Sequence, residues 1–291
     1  MRRSTGEKAF VVFNYAFMVF TSALCIAPML YVILASLISP DDYLSYGITF
    51  PKHFSLFNYQ FLLGGSSKVL RGLIVTIYVT AMGTAISLTG TYITAYVISK
   101  KYLPGRVGIT FFMYFTMLFG GGIVPTYVWM SSLGFVDNLW VLIIPGFVSA
   151  GNTFLIRNFL MTLPESIEES ARIDGANDLV ILGRIILPLS TPVLATIGLF
   201  IAVGTWNGWF TAMIYFNDSN LYPLQLVLRY FLANNVLPVT AEEARMRDMI
   251  EAPSVLLKMT SIVIAIFPIL VVYPFVQKYF VKGIIAGSIK G

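Results

Sequence analysis

The sequence predicts an all-α, polytopic membrane protein with six transmembrane helices, and three observations carry that prediction. Of its 291 residues, 57% are hydrophobic and 15% aromatic, while only 11% are charged, against roughly a quarter charged in a soluble domain. The apolar residues gather into runs at 10–38, 72–99, 107–131, 138–156, 189–216 and 259–277, each near or above the roughly 18–20 residues a helix needs to cross the hydrocarbon. None of these runs contains Asp, Glu, Lys, Arg or His. Their length excludes a transmembrane barrel, whose strands alternate polarity over about 10 residues.

The first run follows Met1-Arg2-Arg3 and Lys8. It continues past the roughly 7–15 residues of a signal peptide's apolar region without a small-residue cleavage site, so it reads as a retained span. Orientation follows from Lys and Arg counted loop by loop. With the N-terminus inside, the inner side holds twelve (Arg2, Arg3, Lys8, Lys100, Lys101, Arg106, Arg157, Arg172, Arg184, Lys278, Lys282, Lys290) against seven outside. Both termini are therefore expected in the cytoplasm, and the net charge of +5 needs no nucleic acid to explain it. Connectors 100–106 and 132–137 are short. Those at 39–71 and 217–258 are long and outside, 157–188 is long and inside, and 278–291 forms a cytoplasmic tail. The outer pieces "FPKHFSLFNYQFLL" and "LYPLQLVLRYFL" read as short interfacial or re-entrant helices.

Several chemistries are excluded. Cys25 is the only cysteine and His53 the only histidine, so neither an internal disulfide nor a zinc-protease helix can form, and no metal site is expected. No GxxxxGK[ST] loop is present, so the chain is not expected to bind ATP. An ion-coupled carrier or channel normally keeps ionisable groups at membrane depth. An intramembrane hydrolase would need a general base there. The uncharged spans argue against both and point to energy supplied elsewhere.

The inner loop is the most informative segment. Thr162-Leu163-Pro164-Glu165 has capping-box spacing, and Glu165, Glu168 and Glu169 place negative charge at the positive end of a helix. Glu168 lies four residues before Arg172, where an ion pair would support that helix. Leu163, Ile167, Ala171 and Asp174 fall on one face, and Gly175 is placed to end the helix in a left-handed conformation. A helix over 163–175 is expected. Asn177 or Asp178 would cap a second through "LVILGRII", with Leu187-Pro188 forcing a break before the fifth run. An acidic helix is a poor partner for the anionic inner leaflet and suits a basic groove on another protein.

Glu169-Ser170-Ala171, Gly175 and Ile185-x-Leu187-Pro188 resemble the EAA signature of membrane subunits of type I ATP-binding-cassette importers, with Ser170 replacing the first Ala. "GGGIVPTY", "PESIEESARIDGA", "GTWNGWF", "LYPLQLVLR" and the tail "QKYFVKGIIAGSIKG" extend the likeness along most of the chain. They are similar to the carbohydrate-uptake branch, above all to the second permease subunit of maltose-type transporters. The resemblance implies a multi-pass protein of the bacterial inner membrane. Its implied partners are a second homologous permease, two ATPase subunits that carry ATP and Mg, and an extracytoplasmic solute-binding protein. It further implies a coupling helix in which Glu168, Glu169, Ser170, Ala171, Arg172, Asp174, Gly175 and Ala176 form the ATPase contact. The implied substrate is an oligosaccharide, with uronic-acid oligomers such as alginate fragments within the class. The outer stretch Glu242, Glu243, Arg245, Arg247, Asp248 and Glu251 is the expected contact for the binding protein. With no charge in the spans, substrate contact falls to aromatics and amides, and Trp206, Asn207 and Trp209 are the candidates for the path. Gly121, Gly122 and Pro125 would let the third span bend as an outer gate.

Overall fold

The computed structural model describes residues 5–48, 50–51, 53–64, 67–234 and 254–288. The polar stretch 242–251 and the last residues of the tail lie outside them. The described residues are helical apart from connecting segments and one isolated bridge between Ile38 and Phe54. Three helices run unbroken, α1 (Thr5–Ser36), α4 (Lys68–Ser99) and the C-terminal helix Ser254–Ser288. Each has a stretch long and apolar enough to cross a membrane.

The other three runs are interrupted, the third near the Gly121, Gly122 and Pro125 bend that the sequence suggests, the fourth where an unbroken helix was expected, and the fifth close to the expected Leu187-Pro188 break. The third is α5 (Arg106–Leu118) and α6 (Ile123–Ser132), bent by 113°. The fourth begins as two 3-10 turns, Leu139–Leu142 and Ile144–Gly146, before α7 (Ala150–Leu160), with a bend of 40°. In the fifth, Asp178–Leu189 meets α11 (Thr191–Trp206) at 82°, and a further short helix, α12 (Phe210–Tyr215), follows. Local chemistry accounts for each break. Three consecutive glycines precede α6, and Gly122 sits at φ +82, open to glycine at little cost. Pro145-Gly146 ends the 3-10 turns. The bend expected at Leu187-Pro188 falls instead at Ser190. Residues Ile181–Ile186 form π turns, with the Leu187 N–H reaching Leu182 O. A wider turn gives room to a proline ring that would collide with the carbonyl four residues back in an α-helix.

The chain divides into two compact units. In the first, residues 1–70 with 228–267, the end of α1 is sealed by buried polar groups. Asn58 Nδ2 donates to the carbonyls of Ser36 (3.3 Å) and Ile38 (2.9 Å), and Ser36 Oγ lies 2.6 Å from Tyr59 Oη. These groups supply partners to carbonyls that a helix end leaves free.

The second unit, residues 71–227 with 268–291, has a core of Tyr92, Ala95 and Tyr96 on α4, Ile156 and Leu160 on α7, Ala171, Ile181 and Ile186 on the inner-loop segment, and Leu194 and Ile197 on α11. The piece "LYPLQLVLRYFL" becomes α13 (Leu224–Asn234), whose Leu224, Leu226 and Val227 in this unit are buried rather than interfacial. Its first N–H, on Leu224, is taken by Thr76 Oγ1 of α4 at 2.8 Å. Among the described glycines of this unit, Gly90 of α4 leaves the least room for a side chain. A Cβ there would stand 2.4 Å from Phe147 O and 2.7 Å from its ring.

Gly90→Val is therefore expected to lower stability by about 1–3 kcal/mol or more, the cost of overpacking a filled site. Thermal unfolding of the detergent-purified protein checks this. Gly146→Val, where a Cβ meets nothing within 4 Å, is the control and should unfold near the parent temperature.

Candidate functional site

The segment between the fourth and fifth runs forms a short helix, α8 (Glu165–Ile173), followed by the helical stretch Asp178–Leu189. The capping box does not form. Thr162 Oγ1 donates to Phe159 O at 2.7 Å, and extended Pro164 occupies the cap with no side-chain bond. Thr162 belongs to the turn that closes α7, which takes its hydroxyl. The expected Glu168–Arg172 pair is also absent, because stronger partners stand at the end of α4. Lys100 Nζ bonds both oxygens of Glu168 and lies 4.0 Å over the Tyr96 ring. The two side chains are only 14% and 20% exposed, so water screens the pair little. Lys101 Nζ donates to Glu165 at 2.7 Å and thereby holds that carboxyl below the usual carboxylate range. Arg172 turns to Asp178 Oδ1 (2.7 Å) and Tyr102 Oη (2.8 Å). Tyr92 Oη donates to Leu182 O at 3.1 Å. Residues 92–102 thus grip both parts of the segment.

Gly175 ends α8 at φ +84. The Gly175 N–H bonds Arg172 O (3.0 Å), the Ala176 N–H bonds Ala171 O (2.9 Å), and both alanines pack on the core. This is a Schellman end, with its paired hydrogen bonds and apolar contact. Asn177 Oδ1 then caps the next helix by accepting from Val180 N at 2.9 Å. Ala171 is 8% exposed, whereas Glu169, Ser170, Arg172, Asp174 and Gly175 face outward. Asp174, placed by spacing on the apolar face, is exposed. Ile173 and Leu179 stand out at 87% and 79% exposure, and spacing alone did not single them out. Lys100, Lys101 and Tyr102 were also missed, although two lysines facing Glu165 and Glu168 across neighbouring connectors is a legible charge match.

A second feature lies at the helix breaks. Gly120–Gly122 before α6, Pro145-Gly146 before α7, and Gly204, Thr205 and Gly208 around the end of α11 converge on one cavity of about 720 Å³. Thr76, Thr126, Thr205 and Thr211 contribute hydroxyl side chains, and among the described residues no charged one lines it. Of the expected gate residues, Gly121 and Gly122 line the cavity and Pro125 stands in the first turn of α6. Trp206, Asn207 and Trp209 do not line it. Trp206 is 6% exposed, Asn207 is exposed with Nδ2 bonded to Val203 O at 2.9 Å, and Trp209 meets Phe210 edge-on at 5.5 Å. The three are not in one turn because α11 stops at Trp206.

Beyond α6, Asp137 sits at φ +54, accepts from the N–H groups of Asn217 (2.6 Å) and Asp218 (3.0 Å), and donates its own N–H to Tyr215 O (3.0 Å). Backbone donation from Asp218, then donation from the Asn217 side-chain amide and backbone N–H, holds its carboxyl below the ordinary range. The contact is thus complete above that range and is lost as pH falls through the depressed value. Tyr127 lies 5.4 Å from Tyr215, so α6 and α12 are joined at two points.

The profile of the family described as binding-protein-dependent transport system inner membrane component matches residues 1–286. The polygalacturonan/rhamnogalacturonan transport system permease protein YtcP of Bacillus subtilis is 40% identical over 289 residues, covering 98% of this chain and 99% of that one. Protein LplC of the same organism is 40% identical over 292 residues, covering 100% and 98%. The solved structure of a bacterial ABC transporter involved in the import of the acidic polysaccharide alginate superposes with a TM-score of 0.86 at 32% identity, covering 96% of this chain and 99% of that one.

Lys100→Glu and Glu168→Lys are each expected to destabilise the fold by about 1.5–3 kcal/mol, the range for a hydrogen bond to a charged group. The double exchange should recover most of that loss. Thermal unfolding of the four proteins, read as a double-mutant cycle, measures the coupling. Additive losses would show that the pair contributes nothing.

Proposed function

The chain belongs to the family of binding-protein-dependent transport system inner membrane components, and from that premise we propose how it works as the permease of an ATP-driven importer of oligosaccharides. It is embedded in the bacterial inner membrane with six spans, each bent helix pair counting as one, and with both termini in the cytoplasm. It pairs with a second, homologous permease, and two ATPase subunits hydrolyse ATP with Mg beneath them. An extracytoplasmic solute-binding protein delivers the substrate, with the outer loop 217–258 as its contact. The coupling element is α8 with its left-handed turn.

The observation that carries this reading is the partition of α8. One face is fixed to the permease by Ala171, Glu165 and Glu168. The other presents Glu169, Ile173 and, past the turn, Leu179 with no partner among the described residues. An acidic group flanked by two apolar knobs suits a basic-rimmed cleft on the ATPase. Closing of the ATPase pair would move α8. Because Lys100 and Lys101 tie α8 to α4, the motion reaches Thr76 and Val79 in the cavity wall, about 36 Å along the helix. Turning such an equilibrium from about 1:99 to 99:1 requires roughly 5.5 kcal/mol of differential binding.

The cavity is read as part of the translocation path, with Gly121, Gly122 and Pro125 at its outer gate. Trp206, buried at the end of α11, and exposed Asn207 stand between the lining residues Thr205 and Gly208 rather than in the wall itself. Acidic oligosaccharides are the proposed cargo, from the galacturonan and alginate transporters this chain resembles. The first turn of α6 also bears on the cavity and presents the positive end of a helix to carboxylates.

Glu169→Lys should reverse the charge met by the cleft and cost about 2–5 kcal/mol of ATPase contact if that contact is a buried pair. Gly175→Val should tilt α8 through backbone strain of about 1–3 kcal/mol, since no atom blocks the added Cβ. Co-purification of the ATPase and uptake of oligogalacturonide by proteoliposomes are the measurements. The first variant should lose assembly or coupling, and the second should lose uptake while remaining in the membrane. Parent values in both assays for both variants would reject the docking assignment.

A further inference from the structure

Arg106 and Arg157 open α5 and sit near the end of α7, on either side of the terminus of α4. Both use Nε to cap the same carbonyl, Ile98 O, at 2.9 Å and 3.2 Å. That carbonyl belongs to the last turn of α4 and has no helical donor of its own. The terminal nitrogens of the two guanidinium groups remain. Arg106 Nη2 has only a weak contact with Met161 Sδ at 4.0 Å, and neither arginine has a carboxylate partner among the described residues. The two side chains open on a groove of about 290 Å³ lined also by Val107, Thr110, Phe111 and Tyr114. Its floor is firm, because Tyr114 stacks on Phe154 at 4.1 Å and Phe154 packs with Ile98 and Met113.

We infer that this groove binds one anionic phospholipid of the inner leaflet, with the phosphate between Arg106 and Arg157. The groove sets a charged end beside an exposed apolar wall, as such a lipid sets its headgroup beside its chains. The guanidinium groups stand at the end of the span, Val107 and Phe111 present apolar surface beside them at 83% and 70% exposure, and Tyr114 follows two turns along α5. From Arg106 to Tyr114 the helix rises about 12 Å, enough to pass from a headgroup to the first acyl carbons. Basic pockets on the cytoplasmic side between transmembrane helices recognise anionic headgroups in this way, and tyrosine belongs at the boundary between headgroup and chain. A soluble phosphate would use the two arginines and leave the apolar wall bare. An acidic segment of the partner permease would use the charges but has no need of an exposed apolar wall beside them.

The test uses the assembled transporter in nanodiscs. Complex carrying bound phosphatidylglycerol is exchanged into phosphatidylcholine, and the retained lipid is counted by native mass spectrometry. The parent should hold phosphatidylglycerol in preference to phosphatidylcholine, and equal retention would overturn the inference without any variant. Arg106→Gln/Arg157→Gln should lower that preference about thirty-fold, the scale for two arginines against an anionic leaflet. Arg106→Lys/Arg157→Lys keeps both charges but loses the planar fork that caps Ile98, and it should retain most of the preference. If the lysine variant falls as far as the glutamine variant, the arginines serve the Ile98 carbonyl alone. Inorganic phosphate at millimolar concentration should displace nothing, and displacement would make this a free-anion site. Loss of the partner permease from the glutamine variant would assign the groove to the subunit interface. Each of these last three outcomes overturns the lipid assignment. Lipid retention is read without turnover, so its failure leaves the importer reading untouched.

Discussion

In hydrocarbon every backbone N–H and C=O must find its partner within the protein, and this one requirement shapes the chain more than any side-chain contact. Three of its apolar runs nevertheless break their helices. The breaks fall beside a cavity or in the protein interior. Gly120–Gly122, Pro145-Gly146 and Gly208 surround a common cavity, and Ser190, at the 82° bend, is fully buried. Helix ends follow the same rule. Asn58 seals the end of α1, two arginines seal the end of α4, and Thr76 takes the first N–H of α13. Irregular backbone is therefore spent where a path has to exist, and unbroken helices supply the walls.

The sequence showed the helical membrane class because uncharged runs of that length admit few other structures. It showed the end of α8 because only glycine takes φ +84 cheaply at that position. It pointed to a bend at Gly121, Gly122 and Pro125 but missed the break in the fourth run, because hydropathy averages over a window and the Pro145-Gly146 pair leaves the average apolar. It placed Thr162 in a capping box by spacing, whereas the preceding helix end took the hydroxyl first. Glu168 was assigned to Arg172 for the same reason: a local rule at i, i+4 is worth only about 0.2–0.5 kcal/mol, and a lysine from 68 positions away in sequence supplies a less exposed, two-oxygen contact. Trp206, Asn207 and Trp209 were grouped by chemistry, but the helix end between them sends one into the core and another outward.

Charge excluded from the spans gathers at their ends, and there it acts as a fastening. Lys100 and Lys101 follow directly on α4, so the ion pairs to α8 load the helix at its terminus, where a push along or across the axis is transmitted without bending the spans. The Tyr96 ring beneath Lys100 and the Tyr92 hydroxyl on Leu182 O add grip one and two turns deeper. Ala171 leaves no room for a side chain between α8 and the core, which brings the acidic residues within reach of the lysines. The small residue and the charges are two parts of one joint.

Among the described residues the cavity wall is uncharged, and for the acidic cargo proposed above this has a kinetic logic. A carboxylate held by a buried arginine would sit in a deep well, because a charge-assisted bidentate contact in low dielectric is strong, and release would then limit transport. Conduction requires sites that bind well enough to be entered and weakly enough to be left. Threonine hydroxyls, backbone groups exposed at glycines and the positive end of a short helix meet that requirement, since each is worth little alone and the glycines let the wall approach a sugar closely. Selection among cargoes then cannot rest on this wall. On the proposed reading it falls to the binding protein outside, while the permease supplies passage and α8 and α4 time its opening.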